Sequence, residues 1–307
     1  MTEWPGAYRL TPRVLVLPGH DASRYPSGTS LVVEGQQASA IIDPSLAVHG
    51  AGAGGVPVLV DHVVLSHVHE DHIAGLSHFP DAAVWAPPDD LIGLRDLDGL
   101  MTMYGMPDGP MSATWRRALV EDFHYAPRPD AQPLAHGERL DLGGVTMRME
   151  HLPGHTRGHS AVVIEAPGDD TVAYVGDIDL STFGPYYGDA WSDLEDFERS
   201  LERVRSLDAH WFVTFHHKGV VEGRAAFSAE VDRFAAVIGD RERRLLEFLT
   251  QPRTLDEIAT HRFIYRPGVN LPFVDNVERR SMAMHLRRLL DAGRVVQSSP
   301  VTYVAVG

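Results

Sequence analysis

His67, His69, Asp71 and His72 stand within a single run of six residues, His67-Val68-His69-Glu70-Asp71-His72. The apolar residues Val63, Val64 and Leu65 precede it, and Ile73, Ala74 and Gly75 follow. A short buried strand therefore ends at Ser66 and delivers four side chains with metal-binding chemistry to one loop. In an extended segment alternate residues share a face, so His67 and His69 point together while Asp71 and His72 diverge from them. That arrangement suits two adjacent cations, one on imidazoles alone and the other on a carboxylate plus an imidazole.

Three later segments repeat the pattern of a polar ligand at the end of an apolar strand. Pro153-Gly154-His155-Thr156-Arg157-Gly158-His159 follows the stretch Val145 to Leu152. Val172-Ala173-Tyr174-Val175 runs into Gly176-Asp177, and Trp211 to Phe215 runs into His216-His217. Strand ends of this kind are where loops gather to form a site. Taken in order, these motifs resemble those of the metallo-β-lactamase superfamily, over roughly residues 10 to 235. The resemblance implies a first metal on His67, His69 and His155, a second on Asp71, His72 and His216, and Asp177 bridging the two. It also gives Asp71 a catalytic role, orienting the nucleophile. His217 is the alternative to His216, because the following Lys218-Gly219 matches some relatives. His159 is expected to pack rather than bind. Asp43, after a buried strand, either holds a ligand imidazole by its ring N–H or forms a turn.

The donor set is nitrogen and oxygen only. The chain has no cysteine, which excludes disulfides, thiolate-held zinc and cysteine nucleophiles. Imidazole and carboxylate ligands favour Zn²⁺, with Fe and Mn compatible. Two divalent metal ions are therefore expected. The segment after Asp177 should line the mouth of the site, and Tyr186 or Tyr187 could donate a hydrogen bond to a developing oxyanion or simply pack.

The elements that must position these groups can be read from pattern. Residues 13–17, 30–33, 40–42 and 58–65 read as successive strands, with Pro44 forbidding extension of the third. Residues 68–79 suit a helix start, with Glu70 and Asp71 at its positive dipole end. Residues 87–133 break the strand pattern, and Met101, Met103, Met106 and Met111 there suit either an adaptable wall over the site or a small local core. Leu194, Phe197, Leu201 and Val204 recur at helical spacing, and a second helix is expected from about 225 to 238. Periodicity supports a mixed α/β fold with two sheets, and the resemblance implies the four-layer αββα sandwich for residues 1–238.

From residue 239 to 307 the texture changes. Helices are expected near 244–249, at 254–259 with Thr254 and Glu257 as a capping box, and at 278–292, followed by a hairpin over 295–297 and 302–306. This resembles the small winged-helix domain appended to a glyoxalase II-like branch of the superfamily, a branch that includes an endoribonuclease. Between Arg241 and Arg294 there are eleven Arg against seven acidic residues, in a chain of net charge −15. The acidic body argues against nonspecific nucleic-acid capture. The pairs Arg279-Arg280 and Arg287-Arg288 are the best local footprint for it.

The 307-residue chain has 44% apolar and 22% charged residues, as soluble globular proteins do. It shows no transmembrane run and no secretory start, so cytoplasmic residence is the expectation. The sequence favours a metal-dependent hydrolase of a small-molecule thioester, ester or lactone. A nuclease or phosphodiesterase on the same metals is the alternative, and β-lactam hydrolysis a further one. A homo-oligomer stays open.

Overall fold

The computed structural model describes residues 4–306. Two sheets pack face to face. The first joins β1 (Tyr8–Thr11), β2 (Val14–Leu17), β3 (Ser30–Glu34), β4 (Ser39–Ile42), β5 (His62–Val64), β6 (Ala83–Ala86) and β7 (Gln132–Pro133) in chain order. β1 to β4 pair antiparallel, and β4 to β7 pair parallel. The second sheet comprises β8 (Arg139–Asp141), β9 (Thr146–His151), β10 (Ser160–Glu165), β11 (Val172–Tyr174), β12 (Trp211–Val213) and β13 (Val220–Glu222). Only β11 and β12 pair parallel there.

Alternation places the apolar side chains. Val14, Val16, Leu31, Val33, Ala40, Ile42 and Val64 of the first sheet meet Met147, Met149, Val162, Ile164, Val172 and Val213 of the second in a shared core. The opposite face of the first sheet packs on the helices Leu97–Tyr104 and Pro110–Glu121, and that of the second on Leu194–Val204 and Arg224–Phe248. The result is the four-layer αββα sandwich. Asp193 caps the helix Leu194–Val204 by accepting from the Asp196 N–H.

Two expectations need correction. Residues 68–79 form turns and a single 3₁₀ turn, Leu76–His78, instead of a helix. The Gly75 N–H donates to the Pro44 carbonyl, which ties this loop to the end of β4. The helices expected near 225–238 and 244–249 are one continuous helix, Arg224–Phe248, so residue 238 lies inside it. Propensity is a weak guide here, because Gly239 is tolerated once tertiary packing holds both flanks. In the stretch 87–133, Met101 and Met103 are buried in the core under the first sheet while Met111 is exposed, which supports the local-core reading.

The C-terminal part, from the last turn of the helix Arg224–Phe248 onward, has a core of its own. Leu245, Leu249, Ile258, Phe263, Met282, Leu286 and Leu289 pack together under the small sheet of β14 (Arg253–Thr254), β15 (Val295–Ser299) and β16 (Thr302–Ala305). The helix Leu255–His261 carries the Thr254–Glu257 capping box, and Val274–Asp291 supplies the long helix of the group. Arg280 on that helix donates to the carbonyls of Tyr104 and Gly105, and Arg288 bridges Glu198 and Glu242. Arg279 pairs with Asp256. Three of the four arginines in the candidate nucleic-acid footprint are thus engaged within the chain, two of them across to the sandwich.

Candidate metal centre

The ends of β5, β9, β11 and β12 and the loops that follow them bring the predicted ligands together. His67, His69, His155 and Asp177 form one group, and Asp71, His72 and His216 another; within each, the donor atoms all lie within 4.8 Å of one another. In the first group His67 Nε2, His69 Nδ1 and His155 Nε2 are 3.0–3.2 Å apart. Asp177 faces both groups: its Oδ2 is 3.2 Å from His155 Nε2 and its Oδ1 is 2.9 Å from His72 Nε2. Asp71 Oδ2 is 2.9 Å from His216 Nε2. His217, adopting a left-handed backbone, has its ring outside both groups and only borders the cavity.

Each imidazole is held from behind. His67 Nδ1 lies 3.1 Å from Ser66 Oγ, and His155 Nδ1 donates to the Tyr186 carbonyl at 3.0 Å. His216 Nδ1 donates to the carbonyls of Ser23 and Ser27. His72 Nδ1 donates to Asp43 Oδ2 at 2.8 Å, and that carboxylate also accepts from Ser66 N–H, Ser66 Oγ and Tyr174 Oη. His69 Nε2 is 2.9 Å from Asp189 Oδ2, a short ionic contact without the alignment of a good hydrogen bond. With the rear nitrogens so occupied, the front nitrogens are left pointing at one another. Three imidazole lone pairs meeting this closely repel unless a cation lies among them. Tetrahedral zinc with bonds of about 2.0–2.1 Å requires donor separations of about 3.3 Å, close to those seen. His72 Nε2, Asp71 Oδ2 and Asp177 Oδ1 are likewise buried with no well-aligned hydrogen bond. The donor set fits two divalent cations.

The electrostatics agree. Burial, together with the neighbouring imidazoles of His72, His69 and His155, holds His67 well below the usual histidine range, ready to ligate as the neutral ring. For His216 burial opposes protonation, but Asp177 and Asp71 overcome it and raise the ring to about 10. For His69 burial is again overcome, by Asp189, which lifts the ring to about 9. Such carboxylate–imidazole pairs hold protons that divalent cations would displace. His159 packs instead: buried and pushed down to about 3, it donates from Nδ1 to Leu152 O and accepts the Asp177 N–H at Nε2. Gly176 makes that approach possible. Its φ is +54°, and a Cβ there would stand 2.8 Å from His159 Nε2.

A cavity of about 280 Å³ opens on this cluster. Tyr186 borders it, with its hydroxyl donated to Asp189. Tyr187 does not. As the next residue along the chain it points the other way, is 1% exposed, and meets His285 Nε2 at 3.0 Å through its hydroxyl, so the expected substrate contact does not hold for it. Sequence reasoning missed Tyr25, Tyr104 and Asp189, all of which border the cavity, whereas Asp179 borders it as expected of the segment after Asp177. It misplaced Glu70, which borders the cavity too. From sequence Glu70 suits a helix dipole; in the structure it is buried and accepts from both the Tyr25 and Tyr104 hydroxyls. Asp179 is held well above the usual carboxylate range, by burial first and Asp177 second. Asp90 was also missed: buried, it accepts from Val68 N–H, Thr156 Oγ1 and Gly158 N–H, fastening the His67–His72 loop to the His155 loop.

Fold and site together define a metallo-hydrolase. The sequence profile of the metallo-β-lactamase superfamily matches residues 25–217, and the chain belongs to that family. Its relatives include hydroxyacylglutathione hydrolases, which support the likeness to the glyoxalase II-like branch. Hydroxyacylglutathione hydrolase from Methylococcus capsulatus is 28% identical over 265 residues, 80% of this chain and 86% of that protein. Atrochrysone carboxyl ACP thioesterase from Passalora fulva is 26% identical over 224 residues, 67% of this chain but 53% of that protein. The crystal structure of a metallo-β-lactamase family protein from Thermus thermophilus superposes with a TM-score of 0.70 at 25% identity, over 96% of this chain and 99% of that one. No helix among the described residues is long and apolar enough to cross a membrane.

Proposed function

We propose that this chain is a dinuclear metal-dependent hydrolase that cleaves a small-molecule thioester, ester or lactone. Its nitrogen and oxygen donors favour Zn²⁺, with Fe or Mn compatible. The observation that carries the reading is the convergence of seven donors whose imidazoles are all fixed from behind. His67, His69 and His155 would hold one cation, and Asp71, His72 and His216 the other, with one Asp177 oxygen toward each. Bound cations of this kind lower the pKa of water toward neutrality and polarise a carbonyl oxygen. The chain's own contribution is position and exclusion of water. Asp71, whose second oxygen faces His72 at 3.9 Å, is placed to accept a proton from the attacking water and hold it in line. Asp43 and Asp189 keep the His72 and His69 rings from turning. The thioesterase and hydroxyacylglutathione hydrolase among its relatives support acyl chemistry.

The nuclease alternative loses its main support in the engagement of Arg279, Arg280 and Arg288 within the chain. No particular contact favours β-lactams. Metal-reconstituted protein assayed on a thioester, a lactone, a phosphodiester, RNA and a β-lactam separates these readings. Turnover of the thioester or lactone is expected, and cleavage confined to RNA or the phosphodiester would overturn the proposal.

A further inference from the structure

The cavity in front of the metal centre has two unlike walls. One is the ligand cluster. The other is built from rings brought in by distant segments: Tyr25, Tyr104, Trp115, Phe183, Tyr265 and Phe273, with Leu271 at the mouth. Trp115 packs edge-on against Phe273 with centroids 5.1 Å apart, and Phe183 lies 5.3 Å from Tyr265. Tyr265, Leu271 and Phe273 come from the C-terminal part of the chain, so that part completes the cavity.

No lysine or arginine lines the cavity among the described residues. The carboxylates that do offer a substrate anion nothing. Asp71 and Asp177 face the ligand imidazoles; Glu70 receives the hydroxyls of Tyr25 and Tyr104; Asp189 receives Tyr186 and faces His69. Asp179 sits beside Asp177 and brings no positive charge either. A carboxylate or phosphate on the part of a substrate lying against the rings would lose its water and find no cation in return. An alkyl or aryl chain would replace water on apolar walls at no such cost.

Resting on the acyl-hydrolase reading above, we infer that the substrate's acyl group is uncharged and apolar, and that Leu271 and Phe273 of the C-terminal part set its charge and size limits. The chemistry selected is an alkanoyl or aroyl thioester or ester, in preference to a dicarboxylic half-ester or half-thioester.

The test uses the metal-loaded full chain and S-acyl-N-acetylcysteamine thioesters that differ only in the acyl group, with thiol release as the readout. Hexanoyl and adipoyl groups have the same number of carbons and differ by a terminal carboxylate. The expected kcat/KM for hexanoyl exceeds that for adipoyl by at least about 30-fold. Leu271→Arg, at an exposed position outside the catalytic machinery, should narrow that ratio by about tenfold by supplying a counter-ion. Phe273→Ala should move the preference toward decanoyl; if it fails to fold, Leu271→Arg still decides the matter. Equal or better turnover of adipoyl by the parent chain overturns the inference while leaving the hydrolase intact. An unchanged ratio in Leu271→Arg overturns the role of the C-terminal wall. Absence of turnover on every thioester and ester, with a phosphodiester cleaved, defeats the underlying reading instead.

Discussion

The two walls of the cavity are built on opposite principles. The ligand wall is assembled from strand ends, with each imidazole held by a backbone carbonyl, a hydroxyl or a carboxylate. The aromatic wall is assembled from loops and helices far apart in the chain, and its rings meet mainly by packing, with the Tyr25 and Tyr104 hydroxyls also joined through Glu70. A hydrogen-bonded cation site tolerates little displacement, whereas a packed wall can change size and shape residue by residue. In the proposed reading the first wall carries the chemistry and the second the selectivity.

The sharpest way to break this division is at Asp177. Asp177→Asn removes a charge between two cations, and kcat/KM on a thioester should fall by about 10³-fold or more, with metal content below that of the parent. Retained activity with full metal content would move the bridge elsewhere. Smaller effects are expected one layer back. Asp43→Asn leaves the ligands in place but frees the His72 ring, and metal affinity should weaken by about 10–100-fold in a competition titration against a chelator. An unchanged affinity would make Asp43 merely the buried centre of a turn.

The junction between the C-terminal part and the sandwich offers a third test. Arg280→Gln removes the guanidinium bonds to the Tyr104 and Gly105 carbonyls and should cost about 1–3 kcal/mol in urea unfolding, with metal content unchanged. Because Arg280 and Arg288 are structural, charge removal aimed at nucleic acid is informative only at Arg279 and Arg287, where the double Gln variant should hydrolyse a thioester at the parent rate. A further test concerns acid. His285 is pushed down to about 3 by burial, with Arg288 and Arg241 adding to it, so the folded chain keeps it neutral while the unfolded chain protonates it near 6.5. The unfolded state binds more protons in that window, and stability is lost as pH falls from about 6.5 toward 3. His285→Gln should flatten the acid side of a stability–pH curve, and an unaltered slope would contradict it.

The same division explains what could be read in advance. Ligands at strand ends have a local signature: an apolar run, a break, then His or Asp, as at Val172 to Asp177. The clusters of His and Asp at strand ends were legible for that reason, while the choice of seven donors among them, like the αββα arrangement, came through the family resemblance. The aromatic wall has no such signature, since nothing near Tyr25, Tyr104 or Tyr265 in sequence marks them as neighbours. Glu70 misleads because a carboxylate after a strand suits a helix start, and only the phenols of two distant segments reveal its place. Gly239 and Asp240 resemble a break between two parts, yet packing on both sides carries one helix through them.

Metal stoichiometry reads out the pair of cation sites without reference to any substrate. Protein reconstituted with Zn²⁺, freed of excess metal and assayed by elemental analysis should contain two ions per chain. His216→Ala should contain one, and His217→Ala two, because only the first of these adjacent rings reaches the cluster. One ion or fewer in the parent chain would rule out a second cation site, and loss of an ion in His217→Ala but not in His216→Ala would make His217 the ligand.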